Sequence, residues 1–208
     1  MSTTPRKTDR RIERTRQLLR DALMALIVEK GYEAVSIQDI TDKANVARTT
    51  FYLHFKDKDD LLFSEMREIY DNLAQQQRSS LLDELVNPKS QQPNADDFIH
   101  VQQHADFYRV MLSSKGSITI LIWMLEYLTE LMGREILNDY KDKLPPEIPA
   151  GVVGAFLGGA QIGVVHWWLN HGQQHTPEEM AQVMHTLCLS GLASTLGLPP
   201  ESPKDEPG

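Results

Sequence analysis

The 208-residue chain is 41% hydrophobic and 24% charged with a formal net charge of −8, ordinary values for a globular protein long enough for one large domain or two small ones. Its single cysteine, Cys188, excludes an intramolecular disulfide, and its opening residues, MSTTPRKTDRR, have no apolar core that could act as a signal peptide; both point to the cytoplasm. The charge is unevenly spread: residues 1–60 hold 12 Lys/Arg against 10 Asp/Glu and the remainder 9 against 19, while residues 1–20 alone hold seven basic and two acidic residues. A basic end on an acidic body orients a molecule on phosphate and discourages general adhesion to nucleic acid.

Residues 1–8 read as a flexible basic arm. A helix is predicted over 9–30, where Leu19, Leu23, Leu26 and Ile27 share one face and Gly31 stops it. Ser36 and Asp39 have the spacing of a capping box, with Val35 and Ile40 as its hydrophobic staple, so a second helix begins at 36 or 37 and ends near 44. Asn45 suits a left-handed turn residue. A third helix is predicted over about 47–54, mixing Arg48, Thr49 and Thr50 with Phe51, Tyr52 and Phe55. Two short helices around a tight turn, the second both polar and aromatic, make a helix-turn-helix and point to DNA binding.

Asp57 caps a long fourth helix that runs at least to residue 77, with Leu62, Met66, Ile69 and Leu73 on its core face. Residues 87–94 (NPKSQQPN) are loop. Helices are predicted over 95–113 and 116–140, the latter with a break near Gly133. A further break covers 143–149, and helices follow over 150–171 and 177–196. The last of these opens with Thr176, Pro177 and Glu179, a cap, a first-turn proline and a capping-box acid. Residues 199–208 read as a disordered, proline-rich tail. No strand pattern is visible, so the expected fold is all-α, with a helix-turn-helix domain over 1–56 and a helical domain over 57–198. The apolar stretch 150–169 is long enough for a bilayer, but Gln161, His166 and its glycines favour a buried helix.

Residues 9–62 resemble the N-terminal domain of the TetR family of bacterial transcriptional regulators. The likeness rests on Gly31-Tyr32, on Val35-Ser36-Ile37-Gln38-Asp39-Ile40, on Ala44-Asn45-Val46, on Thr50-Phe51-Tyr52-Leu53-His54-Phe55 and on Lys58-Asp59-Asp60-Leu61-Leu62. Asn45 departs from a common glycine, a mild change. Thr49 departs from a common glycine or other small residue, which bears on sequence preference. The resemblance implies a DNA-binding domain followed by a helical domain that dimerises and binds an effector.

The DNA contacts expected on this basis are Ser36, Thr41, Arg48, Thr49, Thr50, Tyr52, His54 and Lys58. Arg48 can pair bidentately with guanine or clamp a phosphate, and the threonines can meet phosphate or a thymine methyl. Lys58 is expected as a flexible cation at the phosphate backbone. Arg6, Lys7, Arg10 and Arg11 either enter the minor groove, follow the phosphates, or stay loosely attracted. One helix-turn-helix reads few base pairs, so a homodimer on a palindromic operator is expected.

Each glycine inside a helix costs about 0.5–1 kcal/mol relative to alanine, so the run over 151–163 needs a compensating close approach. Gly154 and Gly158, with Met184, Leu187, Cys188 and Gly191 of the last helix, are the candidate dimer interface. Phe107, Tyr108, Met111, Trp123, Tyr127, Phe156, Gln161 and His166 are the candidate pocket for a small apolar or aromatic effector. His100 and His104 stand four apart without a third ligand, so no metal is expected, and no cofactor either. The expected function is a dimeric transcriptional regulator, a repressor released by a small molecule. The alternative gives the C-terminal half a protein partner in place of a small ligand. With no phosphate loop and no Ser/His/Asp spacing, an enzyme is not expected.

Overall fold

The computed structural model describes residues 7–86, 94–140 and 147–195, and the surroundings of side chains over 10–75, 94–134 and 147–188. Among the described residues the chain is all helical: α1 (Lys7–Lys30), α2 (Ile37–Ala44), α3 (Arg48–His54), α4 (Lys58–Val86), α5 (Asp96–Gln103), α6 (Ala105–Met111), α7 (Ile118–Tyr140), α8 (Ala150–Asn170) and α9 (Pro177–Thr195). Three expectations change. The helix starts at Lys7, so the basic arm is helical from there on. The segment expected as one helix over 95–113 is two, divided at His104. The helix through Gly133 is continuous. The expected tail and most of the loop over 87–94 lie outside the described residues.

By its contacts the chain forms two compact units. The first takes in α1–α3, α4 as far as Ile69, and Asp106–Ile122; the second takes in α4 from Tyr70, α5, and the chain from Trp123 onward. A linear boundary at residue 56 is therefore not where the contacts divide the chain: α4 and α7 each belong to both units, and α6 belongs with the N-terminal helices apart from its first residue.

In the first unit, Leu19, Leu23, Leu26 and Ile27 of α1 are buried with Ile40 and Ala44 of α2, Phe51 of α3, and Leu61, Leu62 and Met66 of α4. Gly31 ends α1 at φ +80, and its amide closes the last turn on Ile27 O at 2.9 Å. The capping box is present: Asp39 N donates to Ser36 Oγ at 3.2 Å, and Ser36 N donates to the Asp39 carboxylate at 2.8 Å. Lys30, and then Ser36, hold that carboxyl well below the usual carboxylate range. Arg20, 5% exposed, is paired with Glu65 at 2.7 Å and Glu68 at 2.6 Å, joining α1 to α4.

In the second unit, α5 packs on α9 and α8 on α9, and Phe98 meets Trp168 edge-on at 5.6 Å. The Trp168 indole donates to His175 O at 2.9 Å, fastening the turn before α9. Two of the α8 glycines face α7. A methyl group on Gly154 would collide with the Thr129 carbonyl oxygen, and one on Gly158 would lie 3.2 Å from Leu128. The helix expected to be buried has an open side as well: Val152, Phe156 and Trp167 of α8 are exposed, and so are Val183 and Leu187 of α9. By length and composition α8 could cross a membrane, the one such helix among the described residues.

Candidate nucleic-acid interface

The turn between α2 and α3 is built by Asn45 in the left-handed region at φ 53, ψ 48, with Val46 N donating to Thr41 O at 3.0 Å. Asn supplies this conformation at lower cost than a bulkier residue. The following helix is pinned by two rings: Phe51 and Phe55 are 0% and 3% exposed, with centroids 5.9 Å apart. The Arg16 guanidinium lies 4.7 Å from the centre of Phe55 and ties α1 to this anchor.

With one side of α3 fixed in the core, the other side is set by helix geometry. Arg48, Thr49, Tyr52 and Leu53 are exposed, while Thr50 and His54 are half-buried on the flank. Arg48 donates to the Tyr52 hydroxyl at 3.3 Å and lies 5.8 Å from its ring centre, so the two side chains form one polar edge of the exposed face. The basic residues Arg10, Arg11 and Arg14 are exposed on α1. Arg6, and the side chain of Lys7, lie outside the described residues.

Two of the residues expected as contacts are engaged within the chain itself. Thr41 is 1% exposed, and its hydroxyl lies 3.0 Å from both Ile37 O and Gln38 O, its donor turned back into its own helix. It supports α2 and does not face outward. Lys58 is not a free cation: its ammonium donates to Tyr32 O at 3.0 Å and Val35 O at 3.1 Å, over the Tyr32 ring. It holds the start of α4 to the turn between α1 and α2. The Tyr32 hydroxyl bonds the Asp59 carboxylate; burial first, then that bond, push the phenol above its usual range. Ser36 is exposed, but its hydroxyl donates to Asp39 at 2.6 Å.

The residues expected around an effector are not all gathered. Phe107, Tyr108 and Met111 are buried in the first unit. In the second unit, Trp123 and Tyr127 stack at 5.1 Å, Tyr70 stacks on Tyr127 at 6.1 Å, and the Tyr127 hydroxyl donates to Asp71 at 2.6 Å. Gln161 is half-buried and donates to Asp97 at 3.3 Å. Phe156 and His166 are exposed on α8, so neither lines an interior pocket in this chain.

The expected dimer set also divides. Gly154 and Gly158 are used up against α7 of the same chain and are buried there, so they offer nothing to a second copy. Leu187 is 64% exposed, Met184 half-buried, and Cys188 buried, its thiol pushed up by burial. Gly191 lies in α9 beyond the last residue whose surroundings are described. His100 and His104 rings are 4.6 Å apart, and among the described residues no three His, Cys, Asp or Glu gather as metal ligands would.

Sequence reasoning passed over Leu53, which is 82% exposed. Fixing Phe51 and Phe55 inward and turning the helix by about 100° per residue would have put Leu53 outward. It also missed Arg20, whose two closest partners lie 45 and 48 positions away.

Residues 19–64 match the family model described as bacterial regulatory proteins, tetR family, and residues 95–190 match one described as a transcriptional regulator C-terminal region; together they take up more than half of the chain. The uncharacterized HTH-type transcriptional regulator YxbF of Bacillus subtilis (strain 168) is 24% identical over 184 residues, 85% of this chain and 45% of that protein. The chain spans less than half the length of YxbF and of most of the curated relatives it matches. Of the solved structures, the fatty acid degradation regulator FadR from Bacillus halodurans has a TM-score of 0.60 at 19% identity, covering 92% of this chain and 98% of that one. SmeT, solved as a complex with triclosan, has a TM-score of 0.60 at 18% identity, covering 93% and 99%. With a helix-turn-helix whose second helix is pinned by two phenylalanines and open on its polar side, the chain belongs to the TetR family of transcriptional regulators.

Proposed function

We propose that this regulator acts in the cytoplasm as a two-fold homodimer on a palindromic operator, as a repressor released by a small apolar or aromatic effector. The observation that carries the DNA reading is the exposure of Arg48, Thr49 and Tyr52 on one face of a helix whose other face is locked in the core. A side chain so presented enters the major groove without unfolding anything, and two copies one helical turn apart, about 34–36 Å, read two half-sites.

The dimer reading is supported by the open side of α8 and α9, where Val152, Phe156, Trp167, Val183 and Leu187 are exposed. This surface replaces Gly154 and Gly158 in the proposed contact: a second copy would cover Phe156 and Leu187, with Gly159 and Gly163, where an added methyl would meet nothing within 4 Å among the described residues, allowing close approach. The effector reading is supported by the stacked Tyr70, Tyr127 and Trp123 with Asp71 beside them, and by SmeT, a protein of the same fold that is solved with triclosan.

In vitro selection of bound DNA tests the first part: a palindrome should emerge, and Arg48→Ala should lose it. Light scattering tests the second, with Leu187→Asp and Phe156→Asp expected to give monomers. A chain that is monomeric at every concentration would favour a protein partner on the α8 and α9 surface. Titration of the operator complex with hydrophobic compounds tests the third, a repressor's effector being one that weakens operator binding.

A further inference from the structure

Resting on the operator reading above, we propose that Leu53 is a specificity-determining residue that reads the C5 methyl group of thymine, with Thr49 one turn before it completing the apolar contact. Leu53 is 82% exposed, the highest value among the exposed large hydrophobic residues of the described chain. Phe51 and Phe55, both buried, set the inward direction of α3. At about 100° per residue, Leu53 stands roughly opposite their midpoint, on the line that projects furthest from the core. Thr49 precedes it by four residues on the same outward strip and is exposed too.

The chemistry narrows what this position can recognise. An isobutyl group neither donates nor accepts a hydrogen bond, so it offers nothing to a phosphate oxygen or to the polar edge of a base. The major groove carries one apolar group, the methyl of thymine, at the same depth as the base edges. The polar work falls on the flank of the helix, where Arg48 and Tyr52 are already joined at 3.3 Å. The outward face thus has a polar edge and an apolar ridge, and the ridge selects an A·T pair by the methyl that only thymine supplies.

The test uses the full chain and its selected operator. Each thymine of one half-site is replaced in turn by deoxyuridine, which removes only the methyl and keeps the base pair. Binding is measured by fluorescence anisotropy. At one or two positions the substitution should weaken wild-type binding about four-fold, the effect of losing one buried methyl-sized group. Leu53→Ala should bind the thymine and uracil operators equally, near the wild-type affinity for the uracil one. Leu53→Met should keep the discrimination. Because Leu53 is outside the core, both variants should melt with the wild type, and a variant that does not is replaced by Leu53→Gln in the same comparison. An operator whose thymines all tolerate deoxyuridine, or a Leu53→Ala variant as sensitive as wild type, overturns the proposal and leaves the regulator reading intact. Selection that recovers no DNA sequence overturns both.

Discussion

Lys58 and Tyr32 hold each other twice: the lysine ammonium donates to the tyrosine carbonyl at 3.0 Å and lies 4.3 Å from the centre of its ring. The same ammonium reaches Val35 O, so one cation fastens the first turn of α4 to both ends of the connection between α1 and α2. A lysine in this place reads from sequence as a phosphate contact, but two of its three donors are occupied within the protein. Lys58→Met should therefore lower stability by roughly 1.5–3 kcal/mol, the range for hydrogen bonds made by a charged group. It should leave the salt dependence of operator binding almost unchanged. Arg48→Ala should do the reverse, with little effect on stability and a salt slope reduced by about one unit if its contact is a phosphate. Denaturant titration and binding over 50–200 mM salt separate the two roles.

The buried guanidinium of Arg20 gives a second test. It pairs with Glu65 and Glu68 of α4, and Glu65 is itself largely enclosed, so that burial lifts its carboxyl above the ordinary range while Arg20 pulls it down. Arg20→Met leaves a carboxylate behind without its counter-charge and should cost roughly 3 kcal/mol. Adding Glu65→Gln should recover part of that loss. The pH effect has a definite sign. Without Arg20 the folded carboxyl is raised further, so the folded state binds the proton more tightly than the unfolded one. The variant's stability is then lost as pH rises through that window. The gap between wild type and variant should narrow from pH 8 to pH 5, and urea midpoints at the two values would show it.

These two residues show where the sequence stops being readable. Local signals were dependable: the Ser36 and Asp39 pair formed its capping box, Asn45 took the left-handed turn, and Thr176 with Glu179 capped α9. Each depends on residues within four positions of one another. Arg20 and Lys58 were opaque because their partners are set by packing between helices far apart in the chain. The sequence also showed polar residues on α2 and α3 without showing which of them the core would claim, and Thr41 was claimed. His104 ended α5 without a proline or glycine to announce it.

The glycines of α8 separate two kinds of small residue that look alike in sequence. Gly154 lies against the backbone of α7 at Thr129 and Gly133, so Gly154→Ala must push the helices apart. It should destabilise by more than the roughly 1 kcal/mol that alanine gains in a helix. A methyl group on Gly163 would meet nothing within 4 Å among the described residues outside its own helix backbone. Gly163→Ala should therefore raise the stability of a dilute, monomeric sample by about 0.5–1 kcal/mol. If a second copy packs there, the same change should weaken self-association. Thermal melts across protein concentration would read both effects, and equal responses from Gly154 and Gly163 would contradict the assignment.

His100 provides the test below neutral pH. Burial, with the neighbouring His104 adding repulsion, lowers its pKa to about 4 from an ordinary 6.5. The ring is thus neutral in the folded protein where it would already be charged in the unfolded chain. Between these two values the unfolded state binds the proton and the folded state does not, so stability rises with pH across the window. The contribution is complete above pH 6.5 and is lost as the solution is acidified toward pH 4. Asp39 acts in the same direction at still lower pH, because its carboxyl is held in the charged form by Lys30 and Ser36. His100→Gln should flatten the stability profile between pH 6.5 and 4 while leaving the steeper fall below it. A variant whose urea midpoint declines over that window as steeply as the wild type would show that another group carries the proton.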